Sequence, residues 1–301
     1  MTSTAASADL LALARDIAVR AAEFASEARG HGVSVAATKS TPTDIVTAVD
    51  RDTETLIRSL ILDARPNDGI VGEEDAAHIG TSGLDWIVDP IDGTVNFLYG
   101  IPSWAVSIGV AERGGADAAA GPGGIEGTTL AGVVINPVSG ELFAASLGGG
   151  ATLDGGAGGA GLGGGARSTA GAGSAGGLQL TVNDGVPLHQ ALVATGFGYA
   201  PEVRRRQAET LLGVLPEVRD IRRIGSAALD LAALAAGRLD AFYERGLNAW
   251  DHAAGGLIAR EAGAVVTGPR GGRENSELLV AAAPELHEEL VALLRRAGLD
   301  A

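Results

Sequence analysis

Residues 84–100, LDWIVDPIDGTVNFLYG, carry the pattern that determines the fold of the N-terminal half. The apolar residues 86–88 predict a strand buried on at least one face, so Asp89 lies where that strand leaves the sheet. Pro90 restricts Asp89 to an extended backbone, and Asp followed by Pro favours the first two positions of a β-turn. Gly93 relieves the steric constraint at the end of this turn. We therefore expect a buried strand that opens directly into an acidic turn.

This turn has the composition of a site for a hard cation and a phosphate. The carboxylates of Asp89 and Asp92 and the carbonyl of Ile91 can point into one space, and all-oxygen ligands of this kind suit Mg²⁺ or Mn²⁺. If a helical turn begins after the glycine, the amides of Gly93 and Thr94 face outward and can bind an anion. We therefore interpret the segment as functional.

Three further acidic positions follow or precede apolar segments, and each also has a purely structural interpretation. Asp50 could be only a helix cap before a helix that runs through Ile61. Glu73 and Glu74 could form a solvated turn, and Asp251 could simply favour the N-terminus of its helix. The residues alone leave these alternatives open.

The order of predicted elements indicates an α+β N-terminal half and an α/β C-terminal half. The first half has a helix over residues 8–29, a helix ended by Pro66, and strands of an antiparallel sheet. The second alternates strands and helices up to a last helix that begins at Pro284, which is typical of helices covering a sheet. We divide the chain into residues 1–150 and 151–301. Gly/Ala-rich stretches at 114–127 and 155–177 are predicted to be a lengthened hairpin and a mobile insertion.

Composition limits the classes of function. The chain has 301 residues, a formal net charge of −15 and no cysteine. An acidic protein disfavours nucleic acid as its main ligand, because phosphate backbones bind basic surfaces. The same charge would repel an anionic substrate unless bound divalent cations invert the local sign. Disulfides and thiolate metal sites are excluded, and no apolar run is long enough to span a membrane.

Several segments, in order and at suitable separation, strongly resemble the signatures of the inositol monophosphatase family. They are TDIVTAVDRDTE (43–54), GEE (72–74), WIVDPIDGTVNFLYGIPSWAVSIG (86–109), RRIGSAALDLAALAAGRLDAFYERG (222–246) and WDHAAGGLIAREAG (250–263). The resemblance covers roughly residues 10–285, and the DPIDGT and WDHAAG blocks together are highly specific. The chain departs from the family pattern after GGGATLDG (148–155), where Asp154 replaces an asparagine and the Gly-rich insertion follows.

The resemblance implies a metal site with two to three Mg²⁺ ions, for which Mn²⁺ is a possible substitute. Glu73, Asp89 and the Ile91 carbonyl would hold the first ion. Asp89, Asp92 and Asp251 would hold the second, with Asp89 bridging the two. A third, looser ion would lie near Glu73, which gives that residue a catalytic role as well.

The resemblance also implies catalytic and substrate-binding residues. Thr94, paired with Asp50, would orient and deprotonate the attacking water. The amides of Gly93 and Thr94 would hold the phosphate, and Asp92, Glu244 and the backbone at Ala227 would contact the substrate. The family places a lysine near the active site where Lys39, the only lysine of the chain, occurs. Lys39 is either a chance survivor of an arginine-rich composition or a compact ammonium required near the phosphate.

The expected fold is the layered αβαβα carbohydrate-phosphatase sandwich, with the carboxylates in the cleft between the halves. The expected protein is a lithium-sensitive, cytoplasmic homodimer that hydrolyses myo-inositol 1-phosphate and needs no nucleic acid or membrane. Alternative substrates are histidinol phosphate, fructose 1,6-bisphosphate and 3′-phosphoadenosine phosphates. An alternative of another class is a regulatory scaffold that binds a protein partner.

Overall fold

The computed structural model of the protein describes residues 4–31, 35–38, 45–114, 123–125, 127–156 and 177–301. The N-terminal part consists of three helices and nine strands. In chain order they are α1 (Thr4–Gly30), β1 (Val35–Thr38), β2 (Ile45–Thr47), α2 (Ala48–Ala64), β3 (Gly69–Gly72), β4 (Leu84–Asp92), α3 (Thr94–Tyr99), β5 (Ala105–Arg113), β6 (Gly127–Asn136), β7 (Glu141–Ser146), β8 (Gly150–Gly155) and β9 (Leu178–Gln179).

The C-terminal part alternates strands and helices, as the sequence predicts, up to the helix that begins at Pro284. Its elements are β10 (Leu192–Thr195), α4 (Pro201–Val214), β11 (Asp220–Arg222), α5 (Ala227–Ala235), β12 (Ala241–Glu244), α6 (Ala249–Glu261), β13 (Val265–Thr267), β14 (Leu279–Ala282) and α7 (Pro284–Arg296). Among the described residues, no helix combines the length and apolar character needed to cross a bilayer.

Two large sheets organise the chain. The first has seven strands in the order β3-β4-β5-β6-β7-β8-β9, antiparallel throughout except for the parallel pair β3–β4. The second has five strands in the order β11-β10-β12-β14-β13, and β14 runs antiparallel to both of its neighbours. Strands β1 and β2 form a small separate pair. The first sheet extends past residue 150 to β9, and the division of the chain at that residue stays a prediction.

Helices separate and cover these sheets in five layers. One core contains α1, α2 and one face of the seven-stranded sheet, with Ile17, Ile57 and Trp86 fully or almost fully buried. The central core places α5 and α6 between the two sheets. A third core packs α7 and the end of α4 on the outer face of the five-stranded sheet. The αβαβα order of layers expected from the resemblance is therefore confirmed.

Glycines let α6 approach the seven-stranded sheet closely. Gly109 and Gly132 are paired neighbours on β5 and β6. A Cβ atom on Gly132 would lie 2.9 Å from the Cα of Ala254 on α6, and one on Gly109 would lie 2.9 Å from the Cβ of Ala253. Because α6 also carries Asp251, this contact fixes the height of that carboxylate above the sheet.

The acidic segment after Trp86 differs from the sequence prediction in one respect. The strand does not end at Asp89, because β4 continues to Asp92. Its ladder with β5 is interrupted by a bulge between Asp89 and Asp92. A bulge inserts an extra residue and re-aims the side chains beside it, so it delivers both carboxylates without a turn that leaves the sheet.

Both low-complexity stretches lie largely outside the described residues. The stretch at 114–127 connects the antiparallel neighbours β5 and β6. The strands on either side of the insertion at 155–177 pair directly, with Leu153 opposite Leu178. The mobility predicted for this insertion stays a prediction.

Candidate active site

Three carboxylates converge at the edge of the seven-stranded sheet. Asp89 and Asp92 come from the bulged end of β4, and Asp251 comes from the first turn of α6. Each contributes a carboxylate oxygen to a group in which all the oxygens lie within 4.8 Å of one another. Oxygen donors at this spacing suit a divalent hard cation, so the donor set fits Mg²⁺.

A backbone amide fixes one oxygen of each carboxylate. The amide of Ile91 donates to Asp89 Oδ1 at 3.0 Å, within the bulge itself. The amide of Ala228 donates to Asp92 Oδ2 at 2.7 Å, and the amide of Asn248 donates to Asp251 Oδ2 at 2.6 Å. These hydrogen bonds fix the orientation of the three side chains, and the second oxygen of each carboxylate can coordinate a cation.

The electrostatics of this group favour the binding of a cation. Burial raises the pKa of Asp92 to about 6, against hydrogen bonds from Ser226 and Ala228 that lower it. Burial and the neighbouring carboxylates, Glu73 among them, raise the pKa values of Asp89 and Asp251 well above their ordinary range. These closely spaced carboxylates, buried at Asp89 and Asp92 and half-buried at Glu73 and Asp251, cannot all be ionised without compensation. Bound divalent cations would provide it.

Glu73 extends the group on the β3 side. It follows the last residue of β3, the strand parallel to β4, so its side chain and that of Asp89 leave neighbouring strands at the same edge. After burial, the charge of Glu73 raises the pKa of Asp89, and so does a hydrogen bond that protonated Asp89 donates to Glu73. The two carboxyl groups are therefore in contact, as a shared cation site requires.

Asp50 and Thr94 form a buried pair beside these carboxylates. The Thr94 hydroxyl donates to Asp50 Oδ1 or to the Ile91 carbonyl oxygen, both at 3.1 Å. The other oxygen of Asp50 accepts from the amide of Thr47 at 2.9 Å and from its hydroxyl. Burial raises the pKa of Asp50, and hydrogen bonds from Thr47 oppose the shift. Asp50 is part of the capping of α2 and also a partner of Thr94, and the catalytic role implied for it stays a prediction.

Gly93 occupies a position that only glycine fits well. Its φ of 93° is left-handed, and it caps the N-terminus of α3. A Cβ atom there would lie 3.0 Å from the carbonyl oxygen of Gly225 and 3.2 Å from that of Ser103. The chain therefore enters α3 at Thr94, as the sequence predicts for a helical turn, and Gly93 and Thr94 both line the cleft.

Glu244 lies on the opposite side of the cleft, at the end of β12. Its carboxyl group occupies the space left by Gly196, where a Cβ atom would lie 2.1 Å from Oε1. Burial and the charge of Asp92 raise the pKa of Glu244 to about 8, while the guanidinium of Arg223 lowers it. Ala227, the first residue of α5, lines the same cleft.

The structure thus brings almost all of the site residues predicted from the sequence to one cleft. The residues that line it are Glu73, Asp89, Ile91, Asp92, Gly93, Thr94, Ala227, Glu244 and Asp251. Asp50 lies behind Thr94 through their hydrogen bond. Lys39 lies outside the described residues, and its placement stays a prediction.

Three residues of the cleft were missed in the sequence. The Ser226 hydroxyl donates to Asp92 Oδ2 at 2.6 Å and also caps α5, and a serine directly before a helix could have indicated it. Asp230 is buried, and one of its oxygens has no hydrogen-bond partner among the described residues. Burial raises the pKa of Asp230 well above the ordinary value. Arg223 supplies positive charge near Asp230 and Glu244. No local pattern marks Arg223, because its role depends on the fold.

The layered fold and the carboxylate cluster define the class of this protein as a magnesium-dependent phosphatase. The chain belongs to the inositol monophosphatase family, whose model matches residues 7–299.

Relatives match nearly the whole chain. The inositol-1-monophosphatase SuhB of Mycobacterium tuberculosis is 43% identical over 284 residues, covering 92% of this chain and 87% of the relative. The Nus factor SuhB of Salmonella typhimurium is 35% identical over 293 residues, covering 95% of this chain and 97% of the relative. The solved structure of Mycobacterium tuberculosis SuhB superposes with a TM-score of 0.74 at 40% identity, covering 98% of each chain.

Proposed function

We propose that the protein hydrolyses a phosphate monoester of a small polyol, with myo-inositol 1-phosphate as the leading substrate. The products are myo-inositol and phosphate, and water attacks directly without a covalent enzyme intermediate. One observation carries this proposal: Asp89, Asp92 and Asp251 converge within 4.8 Å beside the hydrogen-bonded pair of Thr94 and Asp50. The substrate is supported by the M. tuberculosis relative, which is named an inositol-1-monophosphatase.

The acidic residues divide into two ligand sets in this proposal. Glu73, Asp89 and the Ile91 carbonyl would hold one Mg²⁺, and Asp89, Asp92 and Asp251 would hold another. When bound, such ions supply Lewis-acid stabilisation of the phosphoryl group and a water of lowered pKa. A third ion near Glu73 and replacement by Mn²⁺ are part of the same proposal.

Thr94 and Asp50 would prepare the attacking water. The Thr94 hydroxyl has one proton and two acceptors at equal distance, the Asp50 carboxylate and the Ile91 carbonyl. When it donates to Asp50, its lone pairs can accept a proton from water. Burial makes Asp50 more basic than an exposed carboxylate, which favours this transfer.

Different residues of the cleft would bind the phosphate and the polyol part of the substrate. The amides of Gly93 and Thr94 would bind the phosphate, with Lys39 as a further contact. Glu244 and the backbone at Ala227 would bind hydroxyl groups of the polyol, together with Asp92. Glu244 comes from the five-stranded sheet and lines the same cleft as the β4 carboxylates, which favours a substrate that carries hydroxyl groups besides its phosphate.

A panel of phosphate monoesters tests the substrate. Phosphate release is measured from myo-inositol 1-phosphate, histidinol phosphate, fructose 1,6-bisphosphate and 3′-phosphoadenosine 5′-phosphate, with Mg²⁺ or Mn²⁺ and with added Li⁺. We expect the highest kcat/KM for myo-inositol 1-phosphate and inhibition by Li⁺. A higher kcat/KM for another member of the panel would reassign the substrate.

A homodimer in the cytoplasm remains part of the proposal, and light scattering of the purified protein tests the dimer. The Salmonella relative is named a Nus factor, but none of the predicted carboxylate ligands is lost from this chain. Loss of a ligand would have favoured a scaffold that only binds a protein partner, so we retain catalysis as the main function.

A further inference from the structure

Glu54 lies one helical turn after Asp50 on α2, and its side chain is fully buried, at 0% exposure. Residues four apart lie on the same face of a helix. The carboxylates of Asp50 and Glu54 therefore point toward the same edge of the sheet, Asp50 to Thr94 and Glu54 to the chain that follows β3. A buried carboxylate requires hydrogen bonds or an ion pair.

The backbone around Glu73 supplies these hydrogen bonds. Glu54 Oε2 accepts from the amide of Glu74 at 2.8 Å, and Oε1 accepts from the amide of Asp75 at 3.1 Å. Arg58 Nε donates to Oε1 at 2.8 Å, and Arg58 Nη2 donates to the carbonyl oxygen of Asp75 at 3.1 Å. Two side chains of α2, Glu54 and Arg58, thus bind the backbone of the loop that follows β3.

Gly72 brings this loop against the carboxylate. A Cβ atom at Gly72 would lie 2.2 Å from Glu54 Oε1, so any larger residue would displace the side chain or the loop. Glu73 is therefore fixed on both sides: Gly72 before it packs on Glu54, and the amide of Glu74 after it binds Glu54. Arg58 balances the charge of Glu54, which keeps that carboxylate from adding to the repulsion in the cluster.

We propose that Glu54 is the positioning residue for Glu73, fixing the distance between the Glu73 carboxylate and the Asp50–Thr94 pair through one turn of α2. The proposal rests on the proposed function only in that Glu73 serves as a Mg²⁺ ligand. A positioned ligand loses less conformational entropy when a cation binds. Loss of Glu54 would therefore weaken cation binding more than it slows the saturated reaction.

The variant Glu54→Gln tests this role. Glutamine keeps the shape but has one acceptor oxygen, so one of the two loop amides loses its partner and meets an NH₂ group. We expect the half-saturating Mg²⁺ concentration to rise at least tenfold, both in phosphate release and in calorimetric titration of the protein with Mg²⁺ alone. The kcat at saturating Mg²⁺ should stay within about threefold of the parent. Hydrogen exchange should accelerate at the amides of Glu74 and Asp75.

Asp68→Asn is the matched control. Asp68 is an equally buried carboxylate just before β3, and it accepts from Arg65 Nε at 2.6 Å and Trp86 Nε1 at 3.0 Å. The variant Asp68→Asn should lower the melting temperature without changing the half-saturating Mg²⁺ concentration.

Gly72→Ala is a second variant, which displaces the Glu54 carboxylate without removing it. It should raise the half-saturating Mg²⁺ concentration as Glu54→Gln does. This variant keeps the test available if Glu54→Gln does not fold.

Two results would overturn the assignment. One is a half-saturating Mg²⁺ within twofold of the parent in the folded Glu54→Gln variant, or in Gly72→Ala if the former is insoluble. The other is an equal rise in Asp68→Asn, which would reduce the effect to general destabilisation. Because calorimetry needs no substrate, failure of the proposed phosphatase activity is distinguishable: the parent would then bind Mg²⁺ without releasing phosphate from any ester.

Discussion

Asp50 and Asp251 occupy the same local position in two different helices. Each is the third residue of its helix, and its carboxylate accepts a hydrogen bond from the amide of the capping residue, Thr47 or Asn248. This reciprocal capping holds the side chain back over the helix N-terminus. The same capping arrangement therefore orients both acids: Asp251 lines the cleft, and Asp50 accepts a hydrogen bond from Thr94, which lines it.

Asp92→Asn is predicted to leave a folded but nearly inactive protein. The asparagine is close in shape and can still accept from Ser226 and the amide of Ala228, but it removes a charge that the cations require. Removing one electrostatic contributor from a preorganised site costs about 10²–10³ in rate. Steady-state kinetics and thermal unfolding of the same sample measure both halves of this prediction. Turnover near that of the parent would remove Asp92 from the ligand set.

At the scale of residues, the sequence identifies acids but not their neighbours. Asp89 and Asp92 are predictable because a buried strand and a proline constrain them locally. Glu54 and Asp230 are ordinary helix acids in the sequence, and only the packing of α2 and α5 reveals that both are buried. Thr47 was also missed as the cap of α2, although the spacing Thr-x-x-Asp is a known capping signal.

At the scale of elements, the position of α6 depends on a close contact with the seven-stranded sheet. The helix lies directly on Gly132 and Gly109, and its first turn carries Asp251. Glycine inside a strand often marks a close approach of another backbone, and here the approaching backbone is that of Ala254. The predicted helix and strands are correct, but their mutual distance depends on a contact between residues far apart in sequence.

Gly132→Ala is predicted to destabilise the protein and to lower kcat. The new Cβ atom would lie 2.9 Å from backbone atoms of Ala254, so α6 must shift away from the sheet and Asp251 must move with it. Inserting a methyl group into a packed contact costs about 1–3 kcal/mol of unfolding free energy. Denaturant unfolding and phosphate release measure the two effects.

Gly30→Ala is the control for that variant. Gly30 ends α1, and a Cβ atom there would meet no atom of the described residues within 4 Å. It should match the parent in kcat and be equally or slightly more stable. Equal stability and equal kcat of Gly132→Ala and Gly30→Ala would show that α6 is free to relax without moving the site.

At the scale of the whole molecule, five layers bring distant parts of an acidic chain to one cleft. The seven-stranded sheet provides Glu73, Asp89 and Asp92, α6 between the sheets provides Asp251, and the five-stranded sheet provides Glu244. The order of layers was predictable from the alternation of strands and helices and from the resemblance. The antiparallel insertion of β14 was not, because strand order depends on pairing between segments rather than on local pattern.

The ionisation of its clustered carboxylates is predicted to destabilise the metal-free protein as the pH rises from 5 to 7.5. Asp92 has a pKa of about 6 in the folded protein against an ordinary value of 3.8. Its contribution is fully present below pH about 4 and is lost as the pH rises through 6, where the folded state must give up a proton that the unfolded state has already lost. Mg²⁺ should reverse the loss at pH 7.5.

The measurement is the melting temperature in chelator at pH 5 and 7.5, for the parent and for Asp92→Asn. The comparison is needed because burial lowers the pKa values of His252 and His287, which makes stability rise with pH over the same window. We expect the melting temperature of the parent, compared with that of Asp92→Asn, to be lower at pH 7.5 than at pH 5. A constant difference between the two proteins at both pH values would contradict the assigned repulsion.

We propose that carboxylate-bound Mg²⁺ drives phosphate release at this cleft. The most direct test measures release from the best ester of the panel after removal of metal with excess chelator, followed by titration with Mg²⁺. We expect chelator to reduce the rate to background, Mg²⁺ to restore it fully, and Asp92→Asn to stay inactive at any Mg²⁺ concentration. Full activity in excess chelator would contradict a magnesium-dependent reaction.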